Sequence, residues 1–589
     1  MATKIASKKK IDFKVFARLM SFAKKYSVQF WIATISTISL AFFAAASPVI
    51  LMRAIDDFTV TKNSNTLLNY TLLMIAILVI QVILQFTFVY FSNWVGQHII
   101  RDIRYKIFKN ILNFKMTYFD NSPVGKLVTR VVSDIETIAS FFSQGVFVIV
   151  SDVLKMLVVI VVMLVINWKL ALLTFSVMPV LLYATRLFQV AIKGTYQEVS
   201  NQVSNLNTFV QERITGIKIV QLFNREKVEY QNFMSINKKH RDAYVKTVWY
   251  YSIFFPIAEI LSSIAIGLLV WYGGLQVIES STITVAAIIA FIQMAQMLFR
   301  PLRQIADKFN QLQMGIVRGE RVFEVMDTVS AIDNSGDIKA DNIKGDIKFT
   351  NVHFSYIQGE EVLKGISFDV KQGETVAIVG ATGAGKSTII NLINRFYEID
   401  SGDISVDNIS VKDYTLDSLR DNVAIVLQDV FLFSDTIYNN ITLKNSSISL
   451  DEVKEAAKQI GIHDFIMSLP NDYNYVVKER GVMLSSGQRQ LIAFLRAYVS
   501  NPSVLILDEA TSSVDSHSEQ LIQFATDKIT KGRTSIVIAH RLATIKNADL
   551  ILVMDNGKIV EKGNHKTLLQ KEVGYYKELY EKQFSDQMI

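Results

Sequence analysis

The sequence predicts two unlike parts in one chain: a membrane all-α domain of six spanning helices, fused to an α/β domain of the P-loop NTPase type. Three observations carry this. Six apolar runs, all before about residue 310, are long enough to cross a bilayer, which takes roughly 20 apolar residues. Beyond them, β-like and helix-like runs alternate to the end of the chain, the pattern of an α/β domain. Within that second part, Gly380-Ala381-Thr382-Gly383-Ala384-Gly385-Lys386-Ser387-Thr388 stands between a β-like run, Thr375–Val379, and a helix-like run, Ile389–Phe396. Strand, glycine loop and helix in that order are the context of a P-loop. The expected boundaries are 1–325 for the membrane domain, 326–344 for a polar linker and 345–589 for the α/β domain.

The spans are placed near Val28–Met52, Leu68–Phe91, Gly145–Ile166, Leu170–Val190, Ile257–Ile278 and Val285–Phe309. Asn167-Trp168-Lys169 makes a tight turn between the third and fourth. Phe13 to Tyr26 has apolar residues at helical spacing with Lys and Arg between, the pattern of a helix in the membrane interface. The segments Gln97–Phe142 and Lys193–Trp249 are polar but keep helical periodicity, so the helices should continue well beyond the bilayer. The first carries Arg101, Arg104, Lys106, Lys109, Lys115, Lys126 and Arg130, whereas the outer loops hold only Arg53, Lys62 and Lys169. That asymmetry puts both termini and both long segments on the cytoplasmic side.

The bulk numbers set limits. Half of the 589 residues are hydrophobic and 20% are charged, with the apolar excess in the first 300. The net charge of +7 follows the membrane-flanking Lys and Arg, so no nucleic-acid partner is expected. The absence of cysteine excludes disulfides, thiol catalysis and Cys-ligated zinc. Lys4, Lys8, Lys9 and Lys10 are not followed by a short apolar core and cleavage site, so no removable signal peptide is expected.

Charged residues inside spans are costly and stand out. Lys155 lies 12 residues before Asn167, about 18 Å at 1.5 Å per residue, near mid-membrane. Asp152 is on the same helical face and could pair with it, either as a structural pair or facing a water-filled cavity. Glu259 could attract a cationic substrate, but its place about 28 Å before Ile278 favours the inner interface. Phe88, Tyr90, Trp249, Tyr250, Phe254 and Phe255 could line a site for flat apolar molecules or simply form an interfacial belt.

The glycine loop carries the chemistry of the second part. Its glycines let backbone N–H groups turn toward phosphate oxygens, and the following helix N-terminus adds partial positive charge. Lys386 can reach the β/γ-phosphates and Ser387 can hold Mg²⁺. Val504-Leu505-Ile506-Leu507-Asp508-Glu509 reads as a buried strand delivering two carboxylates at its carboxyl end, where α/β sheets bind ligands.

Leu484-Ser485-Ser486-Gly487-Gln488, followed by Arg489-Gln490, resembles the signature of ABC transporters. Tyr118 to Leu127 with Arg130 and Asp134, and Gln211 to Lys218 continuing to Phe223 and Glu226, are similar to the two intracellular loops of ABC exporters. In that family each loop ends in a coupling helix that docks on a nucleotide-binding domain. Tyr356, Gln428, Glu479-Arg480-Gly481, Ser512-Ser513-Val514-Asp515 and His540-Arg541-Leu542 complete the family's motifs in order, over essentially the whole chain.

The resemblance implies ATP and Mg²⁺ as cofactors. Tyr356 would stack on adenine, and residues Gly380 to Thr388 would cradle the phosphates. Ser387, Gln428 and Asp508 would hold Mg²⁺. Glu509 would act as general base, with Gln428 and His540 beside the γ-phosphate. Ser485, Gly487, Gln488 and Asp515 would serve the nucleotide held by an opposite chain. Ser486 departs from the usual glycine, where a side chain would crowd the loop and reduce backbone freedom. Heterodimeric bacterial multidrug exporters have one subunit with an altered signature and an intact catalytic Glu, and this chain resembles that subunit.

The expected function is therefore ATP-driven export of small hydrophobic or cationic compounds across the bacterial cytoplasmic membrane. The expected partner is a second half-transporter with an intact signature and a degenerate catalytic Glu. A lipid or peptide flippase, possibly homodimeric, shares every motif and stays open. A nucleotide-gated channel often lacks the Glu present here as Glu509. The six spans exclude a soluble nucleic-acid-associated ATPase, and importers usually keep spans and ATPase on separate chains.

Overall fold

A computed structural model describes residues 13–279, 283–330, 332–340, 343–508, 516–539, 542–571 and 573–584. The chain falls into two compact units. The first runs through Leu112 and resumes from Pro123 to Val329; the second holds Asn113–Ser122 and the chain from Ser330 on.

The first unit is helical. It contains α1 (Phe13–Ala23), α2 (Ser27–Thr61) and α3 (Ser64–Leu112). After α4 (Met116–Asn121), which belongs to the second unit, come α5 (Val124–Thr129), α6 (Ile135–Ser140) and α7 (Phe147–Ile166). They are joined by π-helical turns at Arg130–Asp134 and Phe141–Val146. Then follow α8 (Trp168–Phe175), α9 (Met178–Thr215), α10 (Ile217–Leu222), α11 (Glu226–Glu279) and α12 (Val285–Met326). Among the described residues, six helical stretches are long and apolar enough to cross a membrane, as the sequence predicts. The 49 residues of α3 and the 54 of α11 extend about 73 and 81 Å, far more than the ~30 Å hydrocarbon layer.

Local chemistry explains several features of these helices. Pro48 interrupts the backbone ladder inside α2. Beside it, Gln81 of α3 donates to Phe43 O at 2.7 Å and Ser47 Oγ at 2.9 Å. Asn167 caps α8 by accepting from the backbone of Lys169 and Leu170, which sharpens the turn between spans. The amphipathic α1 buries Leu19 and Ala23. It is fastened to α12 by the Arg18–Asp327 ion pair and by Phe22 stacked on Phe323. Asp134, almost fully buried, bonds Arg130 at 2.5 Å and Arg318 of α12 at 2.8 Å.

The charged span residues acquire partners that local spacing does not show. Glu259 pairs with Arg303 of α12, which favours a structural role over a ligand site. Asp152 lies in the field of Lys308 and Arg300 of α12 as well as Lys155. Phe88 and Phe254 are buried, the latter stacked on Phe188 at 4.2 Å, while Tyr90, Trp249 and Phe255 are exposed.

The second unit is built on two sheets. β1 (Ile347–Ile357), β2 (Glu360–Val370), β4 (Ser401–Val406) and β5 (Ile409–Ser410) form an antiparallel sheet in the order β2-β1-β4-β5. The larger sheet has the order β10-β9-β3-β8-β7-β6. Its strands are β3 (Thr375–Gly380), β6 (Val423–Val426), β7 (Val504–Asp508), β8 (Thr534–Ile538), β9 (Leu550–Asp555) and β10 (Lys558–Gly563). All pairings are parallel except β9 with β10.

Why the central strands read as continuous apolar runs is plain from their faces. Val376 and Ile378 of β3 join one core, beneath the antiparallel sheet, while Ala377 and Val379 join the other, beneath the helices. Val504 and Ile506 alternate in the same way with Leu505 and Leu507 in β7. With both faces covered, apolar side chains are favoured at every interior position. The helices are α13 (Lys386–Ile393), α14 (Leu416–Asn422), α15 (Ile437–Thr442), α16 (Leu450–Gln459), α17 (His463–Met467), α18 (Ser486–Val499), α19 (Ser516–Thr530), α20 (Leu542–Asn547), α21 (His565–Leu569) and α22 (Tyr575–Phe584). In the segment read as the linker, Ile338 N donates to Asp413 O at 3.0 Å, and Asn422 Nδ2 donates to Ala340 O at 2.8 Å.

Candidate nucleotide site

The site grows from the carboxyl edge of the larger sheet. β3 and β7 are separated by one strand, β8, so their carboxyl ends lie about 10 Å apart. β3 ends in the glycine loop and β7 ends at Asp508. The helix that the sequence places from Ile389 starts earlier, at Lys386, and ends at Ile393. The loop thus opens directly onto a helix N-terminus, and Arg395, at φ +49°, marks the turn that stops it.

Gly383 and Gly385 have φ of +85° and +98°, a conformation that L side chains rarely adopt. A Cβ on Gly383 would meet nothing within 4 Å, so backbone conformation is the reason for glycine there. On Gly385 a Cβ would come within 2.8 Å of Leu363, so packing adds to the demand.

Lys386 is buried, and its Nζ donates to Gly380 O at 2.8 Å and Ala381 O at 2.9 Å. Two of its three protons are thus used on carbonyls and one remains. Burial holds its pKa below the usual lysine range, against a smaller opposite pull from Asp508. A buried ammonium whose bonded partners are neutral carbonyls keeps donor capacity for an anion, and a phosphate group fits it.

Ser387 is exposed in the first turn of α13, while Thr388 behind it is buried. Among the described residues no group of three or more His, Cys, Asp or Glu forms a metal cage. A hydroxyl and one carboxylate suit Mg²⁺, which usually completes its shell with water and substrate phosphates.

Tyr356 is near the end of β1, half-exposed. Its hydroxyl donates to Thr388 Oγ1 at 3.3 Å and accepts from Asn391 Nδ2 at 3.2 Å. Gln428 is exposed just past β6. Ser485 caps α18 in a reciprocal box: its Oγ accepts from Gln488 N at 3.2 Å, and its N donates to Gln488 Oε1 at 2.9 Å. Gly487 is buried and Ser485 exposed. Ser486 is the first residue of α18, in helical conformation rather than at positive φ. The serine therefore costs no backbone strain, and only its added side chain at the helix mouth remains as a consequence. Glu509, Asp515 and His540 lie outside the described residues, as do Ser512 to Val514 and Arg541.

The structure thus brings Tyr356, the glycine loop, Lys386, Ser387 and Asp508 to one edge. It sets the signature apart. α18 packs against β6, the strand at the far side of that sheet. Three strand positions, about 14 Å, lie between β6 and β3. Sequence reasoning missed the Ser485–Gln488 box, although the S-x-x-Q spacing announces it. It also missed Asn391 and Tyr397, for which no local signal exists.

The profile of the ABC transporter transmembrane region matches residues 30–302, and that of the ABC transporter domain matches residues 363–512. The ABC transporter ATP-binding protein YknV of Bacillus subtilis (strain 168) is 34% identical, over 96% of this chain and 94% of its own length. The chain belongs to the ABC transporter family. The ATP-dependent lipid A-core flippase of Syntrophus aciditrophicus (strain SB) is 34% identical to this ABC transporter, over 98% and 95% of the two chains. A Bacillus subtilis (strain 168) protein bearing the name multidrug export ATP-binding/permease protein YgaD is 35% identical, over 96% and 99%. This chain is an ABC exporter half-transporter, a multi-pass membrane protein that binds and hydrolyses ATP and works with another ABC chain.

Proposed function

We propose that this half-transporter exports hydrophobic or amphipathic compounds across the bacterial cytoplasmic membrane, paired with a different chain. The observation that carries assembly from two chains is the placement of the signature helix α18 against β6, about 14 Å of sheet from the glycine loop, and Ser486 in the signature is what favours a different chain. A second chain's signature is needed at this Lys386, and this Ser485 is available to a second chain's nucleotide. The tip around α10 supports the same reading. Leu222 and Phe223 are 73% and 65% exposed there, and Ile219 is also exposed. The nucleotide unit in turn exposes Leu427, Phe431, Phe433 and Met483 near Gln428 and the signature, a surface for the other chain's tip. The choice of multidrug compounds over lipid rests on the name of the YgaD relative. The flippase relative keeps lipid as the second reading.

In this reading Tyr356 holds the adenine, and Gly380 to Thr388 hold the phosphates. Ser387, Asp508 and Gln428 would hold Mg²⁺, which would offset the phosphate charge. Glu509 would accept the proton of the attacking water, with His540 serving the γ-phosphate and Asp515 the other chain. ATP with Mg²⁺ supplies the phosphoryl group whose hydrolysis drives the cycle. The nucleotide units, both termini and the two helical tips are cytoplasmic. Ser486 makes this chain's signature the weaker of the two, so hydrolysis falls to the site holding this chain's Glu509.

Substitution Glu509→Gln in the purified assembly should leave ATP binding intact and cut turnover by about 100-fold or more, the scale of a lost general base. Turnover near normal would remove Glu509 from that role. Full drug-stimulated activity from this chain alone, as a homodimer, would overturn the pairing with a different chain.

A further inference from the structure

A second tyrosine joins the base platform to segment Asn113–Ser122. Tyr397 follows the turn after α13 and stands edge-on to Tyr356, with ring centroids 5.0 Å apart and planes at 88°. Phe354 meets both rings, at 4.7 and 5.9 Å. The Tyr397 hydroxyl donates to Asp120 Oδ2 of α4 at 2.8 Å. The Tyr356 hydroxyl points elsewhere, to Thr388 and Asn391 of α13. A cavity of ≈ 230 Å³ lies beside the pair, lined by Lys115, Thr117, Tyr356, Tyr397 and Glu398 among others. Burial, and then the Asp120 contact, hold the Tyr397 phenol well above the usual tyrosine range, so it remains a donor at working pH. The route from α4 to the glycine-loop helix is thus Asp120, Tyr397, Tyr356, Thr388, with no water or backbone step.

We propose that Tyr397, held by Asp120, is a positioning residue for the nucleotide base, fixing the Tyr356 ring and making base affinity depend on the seating of α4. The proposal rests on Tyr356 being the adenine platform. Without the Asp120 bond the phenol of Tyr397 loses its anchor beside the open cavity. The edge that supports Tyr356 is then free to turn away. The phosphates are held by Lys386 and the loop backbone, which this change does not touch. The bond therefore acts on the base and not on the triphosphate.

The test is equilibrium binding to the full-length assembly by calorimetry, with Mg-ATP and with inorganic tripolyphosphate, which lacks a base. Tyr397→Phe keeps the ring and removes the donor; Asp120→Ala removes the acceptor. Each should weaken ATP about three- to tenfold and leave tripolyphosphate within about twofold. The double variant should be no weaker than either single one. KM for ATP should rise by the same factor with kcat within about twofold. Tyr356→Ala is the control and should weaken ATP at least as much, again sparing tripolyphosphate. If Tyr356→Ala leaves ATP binding unchanged, the platform reading fails and the proposal with it. If Tyr356→Ala weakens ATP but Tyr397→Phe and Asp120→Ala do not, the positioning role alone is overturned. Equal weakening of both ligands would make the bond merely structural, which also overturns it.

Discussion

The two short helices at the turns of the long helix pairs, α4 and α10, make an instructive comparison. Each has six residues and each is flanked by apolar side chains. Their surroundings differ. Around α4 the chain is claimed: Phe114 is buried, Lys115 N donates to Ser330 O at 2.6 Å, and Ile332 N donates to Asn113 O at 3.0 Å. Around α10 the polar contacts are internal, as in Arg213 with Glu229 at 2.7 Å, and Ile214, Leu222 and Phe223 remain exposed. One tip is finished within its own chain. The other leaves apolar side chains exposed, and such a patch ordinarily marks an interaction surface.

The largest expected effect is on the finished tip. Phe114→Ala should cost about 3 kcal/mol of stability, as a buried aromatic truncated in place, and should lower the thermal midpoint whether or not a partner is present. An unchanged midpoint would mean that the burial around α4 is incidental. Next, Leu222→Asp with Phe223→Asp should lower transport at least about tenfold while leaving the midpoint nearly unchanged, since exposed substitutions away from special features stay within about 0.5 kcal/mol. Normal transport in vesicles would show that α10 docks on nothing of consequence. The smallest effect is one of accessibility. The chain has no cysteine, so Leu222→Cys introduces a single thiol. It should react freely with a maleimide in the isolated chain and several-fold more slowly in the assembly. Equal rates would erase the difference between the two tips.

Much of the site was legible in advance because its signals are local. The β3–loop–α13 unit is written in consecutive residues, Thr375 to Ile393, and the continuous burial of β3 and β7, with alternate residues joining opposite cores, follows from an apolar run covered on both faces. The capping box at Ser485 has an equally local signal but was missed. The departure at Ser486 was visible, but not that its backbone is ordinary helix. The partner of Glu259 was not legible either, because Arg303 lies 44 residues away on another helix. Nor was Tyr397, whose acceptor Asp120 is 277 residues distant.

By itself the sequence determined the class of the molecule: six spans, a nucleotide loop and a signature, in a family order. Those properties depend on composition, periodicity and spacing over tens of residues, and no packing is needed to read them. Only the tertiary structure decided which tip is claimed, where Lys386 spends its protons, and that α18 stands on β6 away from the glycine loop. These are outcomes of sheet order and of contacts between distant segments. Local preference cannot set them, because each one depends on which surfaces remain after the core has closed.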